Sequence, residues 1–277
     1  MQRNLLVSIA GLALIVSVAA AQTATLTLDS PQAGQIVAPG STVNWSIAVT
    51  VSNDNAGLAL VICDLVQDPA NPALFDIPPA DPGSIDSTMQ NFDRPAGITN
   101  PGDQAPLSGY VGVQRGNAGQ MNLIQIGGGQ NTFGQALAAG TGLGENANVI
   151  CGVGQGGPQV VVSGSFTMPT TCGDYTFSLA NPIVNVMTAC NTPPDFSPVT
   201  QATVDTSAAS ITVSVTLQGD LNGDGSVDLS DLSVLLATYN LCAGDAGYNG
   251  AADIDGDDCV GLSDLSILLA NYGGSCS

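Results

Sequence analysis

Two stretches of this chain carry residue types that could do chemistry, and they are copies of one another. The first, from Asp220, reads Asp-Leu-Asn-Gly-Asp-Gly-Ser-Val-Asp-Leu-Ser-Asp. The second, from Asp253, reads Asp-Ile-Asp-Gly-Asp-Asp-Cys-Val-Gly-Leu-Ser-Asp, 33 residues further on. Short oxygen-bearing side chains at every second position converge on one point. That is what a hard divalent cation needs, since calcium takes six to eight oxygens, and a twelve-residue loop supplies them from positions 1, 3, 5, 7, 9 and 12.

In the first loop those positions are Asp220, Asn222, Asp224, Ser226 (through its carbonyl), Asp228 and Asp231. Gly225 at position 6 allows the sharp turn that a side chain would obstruct. The second loop offers Asp253, Asp255, Asp257, Cys259 (through its carbonyl) and Asp264. It departs twice. Asp258 replaces glycine at position 6, and Gly261 has no side chain at position 9, so a water must fill that vertex. Both loops are read as calcium sites, the second weaker. Val227 and Val260, at position 8, are expected to bring the loops together as a short β contact.

Each loop runs into the same apolar pattern. Leu232, Leu235, Leu236 and Tyr239 match Leu265, Leu268, Leu269 and Tyr272. Offsets of 0, 3, 4 and 7 place four residues on one face of a helix. Helices of about ten residues are not stable alone, so the two faces are expected to pack together. Ten aspartates and no basic residue lie within 219–277, so calcium should contribute to folding as well as occupy the loops.

Residues 220–274 closely resemble a type I dockerin: two loop-then-helix repeats, Asp at position 12, and no full helix before the first loop. The resemblance implies two calcium ions and a cohesin-like protein module as docking partner. It also implies contact through positions 10 and 11 of each loop, here Leu229 and Ser230, and Leu262 and Ser263. Their near-identity implies that either copy could present the same surface. Leu at position 10 departs from the small polar residue usual in cellulosome dockerins, and burial of Leu229 and Leu262 between the repeats is the alternative.

The elements upstream read differently. Residues 1–21 have the form of a signal peptide: Arg3, an apolar run from Leu5 to Val18, then Ala19-Ala20-Ala21. The expected location is therefore extracellular or on the cell surface, with no transmembrane segment in the mature chain. Across 22–218, β-like runs recur between turn signals: Ala24–Leu28, Val43–Val51, Leu58–Val66, Met121–Ile126, Asn148–Cys151, Gln159–Met168, Tyr175–Leu179, Ile183–Met187 and Ile211–Leu217. Strict alternation, as in Val43-Asn44-Trp45-Ser46-Ile47, marks strands with one buried face. The fold expected is mainly β. It comprises a sandwich of eight or nine strands over 22–218 with long Gly/Pro-rich loops, followed by a small α-helical module over 219–277 with two calcium loop-helix repeats. The texture around Val43 and Gly164–Phe177 resembles immunoglobulin-like and cohesin-like sandwiches. Gly127-Gly128-Gly129 lacks the Lys and the helix of a phosphate cradle and reads as a flexible turn. Trp45, on the apolar parity of its strand, reads as core.

Composition narrows the function. There are 23 acids against three basic residues and no His, and Glu145 is the single glutamate. No basic patch exists to neutralise nucleic-acid phosphates, and imidazole bases, Schiff-base lysines and His-bound zinc are excluded. No catalytic pair stands out. The reading is a secreted, non-catalytic protein that docks through its calcium module. The alternative is a carbohydrate-binding or polysaccharide-degrading protein anchored the same way, a hydrolase then needing two Asp carboxylates. Export permits disulfides. Of seven cysteines, Cys63, Cys151, Cys172 and Cys190 suggest two bridges in the first domain, with Cys172 and Cys190 nearest in sequence. Cys242 or Cys276 could tie to Cys259, leaving one cysteine over; connectivity stays open.

Overall fold

The structure is a computed structural model that describes residues 21–78, 92–93, 111–114, 123–135 and 148–276. All of the signal-peptide reading except Ala21 lies outside these residues. Twelve strands and two helices are placed among them. In chain order the strands are β1 (Thr23–Asp29), β2 (Ile36–Val37), β3 (Thr42–Val51), β4 (Leu58–Gln67), β5 (Phe92–Asp93), β6 (Val111–Gln114), β7 (Leu123–Gln130), β8 (Gln159–Thr167), β9 (Gly173–Met187), β10 (Val199–Gln201), β11 (Thr203–Asp205) and β12 (Ser210–Val215). The helices are α1 (Leu229–Ala237) and α2 (Leu262–Ala270).

Alternation forces the strands into two layers. One sheet has the order β11-β1-β3-β8 and the other β2-β12-β9-β4-β7-β5, with β10 added on β9 and β6 on β7. Val43, Trp45, Ile47, Val49 and Val51 of β3 face inward, as do Leu26 and Leu28 of β1. Opposite them lie Val61, Cys63 and Leu65 of β4, Tyr175 and Phe177 of β9, and Val213 and Val215 of β12. Trp45 is core, as its parity required. Phe75, Phe166 and Phe177 pack together at ring-centre distances of 4.5 to 6.1 Å, and this cluster consumes much of a small aromatic complement. The mainly-β sandwich is thus present.

Several expectations are corrected. The glycine triplet is no turn: Gly127, Gly128 and Gly129 lie in β7, facing Ile62, Val61 and Leu60 of β4. A Cβ on Gly129 would come within 2.9 Å of Leu60 Cδ1, so the bare backbone there leaves room for the Leu60 side chain. Tyr175–Leu179 and Ile183–Met187 are one strand, β9, in which Asn181 takes a φ of 50° where the register against β4 shifts. Asn148–Cys151 is not a strand, because Cys151 opens a glycine-rich turn. The short strands β2, β5, β6, β10 and β11 carry too few residues to show a period.

The bridges differ as well. They are Cys151–Cys190, Cys172–Cys276 and Cys242–Cys259. One joins two sandwich loops, one crosses from the sandwich to the C-terminal segment, and one lies within that segment. The unpaired cysteine is Cys63, on the core face of β4 and 1 % exposed. Burial, with the neighbouring Asp64 charge second, pushes its thiol up to about 12, which keeps it an inert core residue.

A second apolar cluster, separate from the sandwich core, forms from Val227, Leu235, Ala252, Val260 and Leu268. Leu232, Leu265, Tyr239, Tyr248 and Ile254 pack around it, with Leu217 just beyond β12. Leu235 and Leu268 are fully buried, but Leu236 and Leu269 are about half exposed, at 54 % and 52 %. The apolar face is therefore narrower than the pattern implied.

Candidate metal centre

Each loop is held by its own carboxylates. Asp220 Oδ1 accepts from the N–H of Gly223 (2.8 Å) and of Asp224 (3.1 Å). Asp253 Oδ1 accepts from Gly256 (2.9 Å) and Asp257 (3.1 Å). Asn222 Oδ1 receives Asp224 N–H, and Asp255 Oδ1 receives Asp257 N–H. Asp224 and Asp257 accept from Ser226 and Cys259. The turns so formed set three side chains around one point. In the second loop Asp253, Asp255 and Asp257 each offer a carboxylate oxygen, all within 4.8 Å of one another. In the first loop Asn222 stands in the middle position, with its amide nitrogen 2.9 Å from Asp224 Oδ2.

The sixth positions behave as their residue types require. Gly225 has a φ of 85° and Asp258 one of 68°, so the aspartate adopts the left-handed conformation that glycine takes freely. At position 9, Asp228 caps α1, its Oδ1 accepting from Ser230 N–H at 2.7 Å. Gly261 begins α2 with no side-chain cap.

The twelfth residues are almost completely buried and turn back onto the start of their own loops. Asp231 Oδ1 accepts from Leu221 and Asn222, and Oδ2 from Asp228. Asp264 repeats this with Ile254, Asp255 and Gly261. Burial pushes both carboxyls up, but the backbone N–H groups outweigh it and hold each below its ordinary value. These two residues close the loops through the protein itself. In the second loop Tyr248 adds a bond that the sequence did not signal: its hydroxyl donates to Asp253 Oδ2 at 2.8 Å. That bond, ahead of burial and nearby Asp charges, pushes the phenol up to about 12.

The donor set fits a hard cation. Every candidate atom is oxygen, and the Cys259 sulfur is bonded to Cys242, which leaves the residue's carbonyl as its possible contribution. The clustered triad could hold a metal ion.

The loops do not pair through Val227 and Val260 as expected. Each pairs instead with the segment following the other helix. Val227 N–H donates to Gly274 and Gly273 N–H to Val227; Val260 N–H donates to Leu241 and Asn240 N–H to Val260, all at 2.8–2.9 Å. Ser226 bridges Ser275, and Cys259 bridges Cys242. Cys276 N–H donates to Gly225, and Ala243 N–H to Asp258. Shifting any of these pairs by 33 residues gives its mate, so the two halves clasp each other about an approximate two-fold axis. The sequence held a trace of this: Cys242 and Cys259 occupy the positions equivalent to Ser275 and Ser226.

Leu229 and Leu262 are 65 % and 69 % exposed, so neither is buried between the repeats. Ser230 and Ser263 are exposed beside them. Elsewhere, a cavity of about 270 Å³ lies beside the Cys151–Cys190 bridge, lined by Asn148, Val149, Asn191, Thr192 and Pro193. Its lining carries no carboxylate. No described helix is long and apolar enough to cross a membrane.

No protein-family model matches the chain, and comparison with curated proteins finds no relative. Among solved structures it is similar to a type II cohesin domain from the cellulosome of Acetivibrio cellulolyticus, at 8 % identity and a TM-score of 0.36 over 69 % of this chain and 95 % of that one. It is similar to the seventh ScaB type I cohesin from Pseudobacteroides cellulosolvens, at 13 % identity and 0.36 over 70 % and 93 %. A non-cellulosomal cohesin from the archaeon Archaeoglobus fulgidus aligns at 12 % identity and 0.33 over 72 % and 96 %. Likeness at this level carries no argument about activity. One expectation is nonetheless corrected. The solved structures it is similar to are themselves cohesins, and a cohesin-like module is withdrawn as its expected partner.

Proposed function

We propose that this chain is a non-catalytic, secreted interaction protein in which a sandwich over 22–218 carries a dockerin-like module over 219–277. The module binds two calcium ions, one per loop. The ligands are Asp220, Asn222, Asp224, Ser226, Asp228 and Asp231 in the first, and Asp253, Asp255, Asp257, Cys259 and Asp264 in the second. The observation that carries this reading is the convergence of Asp253, Asp255 and Asp257 oxygens within 4.8 Å, with no basic residue anywhere in 219–277 to neutralise them. Three carboxylates that close repel one another unless a cation lies between them. Three disulfides suit an oxidising compartment outside the cell.

The ions hold each loop against the opposite clasping segment, and the helices then present Leu229, Ser230, Leu262 and Ser263 as paired, near-identical protein-binding positions. Calorimetric titration of the mature chain should give two equivalents of calcium, with affinities between micromolar and millimolar. Chelator should lower the far-ultraviolet helix signal. Absence of binding heat together with unchanged helicity in excess chelator would count against the reading. Capture of a secreted partner in calcium, and its release by chelator, tests docking.

A further inference from the structure

The two clasps are equivalent in backbone and different in how they are fastened. Around the second loop the fastening is direct, because Cys259 at position 7 is bonded across the clasp to Cys242. Around the first loop the equivalent pair is Ser226 and Ser275, which no covalent bond joins. The segment that clasps the first loop is fastened one residue further on, by Cys276, to Cys172 in the turn between β8 and β9. That turn is pinned: Tyr175, fully buried, donates its hydroxyl to Thr171 O at 2.8 Å, and Cys172 packs against the sandwich core.

We infer that the Cys172–Cys276 bridge positions the first calcium loop, so that calcium affinity there depends on a covalent bond to the sandwich, whereas the second loop depends on Cys242–Cys259 alone. The link between bridge and ion is the position-7 carbonyl. Ser226 must aim its oxygen at the ion, and residues 225–227 are held by the N–H groups of Gly273 and Cys276 and the carbonyl of Gly274. Holding that segment in place by a bridge removes an ordering cost from metal binding. Because coupling is reciprocal, an ion in the first loop must stabilise Cys172–Cys276 by the same factor. This inference rests on the calcium reading proposed above.

The test uses the unaltered mature chain. It is equilibrated in glutathione buffers of graded reduced-to-oxidised ratio, with calcium or with chelator, then alkylated and mapped bridge by bridge. Each bridge reduced takes two electrons and two protons from two glutathione thiols, which leave as one oxidised glutathione. Calcium should raise the reducing ratio needed to open Cys172–Cys276 by about tenfold, within the usual range of site-to-site coupling. Cys151–Cys190, remote from both loops in sequence, should not move. In the variant Asp220→Ala with Asp224→Ala, calcium should lose its effect on Cys172–Cys276 and keep it on Cys242–Cys259. An unmoved Cys172–Cys276 in a chain whose first loop is shown by calorimetry to be filled overturns the inference while leaving the calcium reading intact. Absence of calcium from the first loop of the unaltered chain overturns both.

A second arm relocates the fastening. Replacing both cysteines (Cys172→Ser, Cys276→Ser) should weaken the first loop's calcium affinity about tenfold. Adding Ser226→Cys and Ser275→Cys, which puts a bridge where the second loop has one, should restore it. A relocated bridge that forms without restoring affinity also overturns the inference.

Discussion

The two loop-helix copies show what a repeat keeps and what it lets go. Both keep the aspartates at positions 1, 5 and 12, the valine at position 8 and the buried leucine of the helix, and these residues make equivalent bonds. They differ where support comes from outside the loop. The first copy has glycine at position 6, a side-chain cap at position 9, and a fastening to the sandwich. The second has a left-handed Asp258, an uncapped Gly261, an internal bridge, and Tyr248 bonded to its first aspartate. Local comfort is greater in the first loop, and covalent and side-chain support in the second. Two unequal solutions thus hold one geometry.

The largest effect should come from breaking what the copies share. Asp231→Ala leaves the N–H groups of Leu221, Asn222 and Asp228 without their acceptor, and Asp264→Ala does the same in the second copy. Charge-assisted bonds of this kind contribute about 1.5–3 kcal/mol each, and a realistic net loss is about 3 kcal/mol per site. Urea unfolding of the module in chelator, followed through tyrosine fluorescence, measures it without metal. Equal losses in both copies confirm a shared lock; no loss without metal would reduce these residues to ligands only. The same groups give a pH dependence. Their folded values lie below the ordinary carboxylate value, so their contribution is complete above the unfolded value of about 4 and is lost as pH falls through the folded one. The metal-free module should therefore weaken below about pH 4.

Next comes a residue that the repeat does not conserve. Gly219 and Ala252 occupy equivalent positions before the loops. Gly219 has a φ of 98°, and a Cβ there would lie 3.1 Å from Leu268 Cα. Gly219→Ala should cost about 2 kcal/mol through strain and crowding. Ala252→Gly, which removes one buried methyl, should cost about 1 kcal/mol. Thermal denaturation of the two variants ranks them, and a reversed order would show that the halves pack differently from the structure.

What the sequence made legible was local. Period-two alternation in β3 and β12 and the doubled loop pattern both depend on neighbours within a dozen residues, and both recur in the fold. What it hid was long-range. The glycine triplet carries no apolar period, so only pairing with Leu60–Ile62 makes it a strand. Bridge connectivity depends on which loops meet, and Cys172 meets Cys276 across a separation of 104 residues. The clasp leaves almost no mark in the sequence because each loop pairs with the other copy's trailing segment, whose Gly-Gly and Asn-Leu sequences show no strand pattern.

A smaller effect tests the sixth positions. Asp258→Gly relieves a left-handed aspartate and should stabilise the second copy by about 1 kcal/mol, and Gly225→Asp should weaken the first by a similar amount. The calcium affinities should follow, the second site gaining and the first losing. Calorimetry on the single exchanges measures this. A second site that does not tighten would mean that Tyr248 and the internal bridge already absorb the strain.

The smallest expected change is the most discriminating. Asp228 accepts Ser230 N–H at 2.7 Å, and Gly261 offers no such acceptor. Without metal the difference is slight, because glycine is only a few tenths of a kcal/mol poorer than aspartate as a helix cap. With calcium present, Gly261→Asp adds a carboxylate at position 9 that can bind the ion directly or through water. Exchanging both residues (Asp228→Gly, Gly261→Asp) should therefore leave chelator stability almost unchanged and make the second site the tighter of the two. If the order of affinities stays fixed, position 9 does not distinguish the loops. Their inequality then lies in the fastening, one clasp held within the module and the other held to the sandwich.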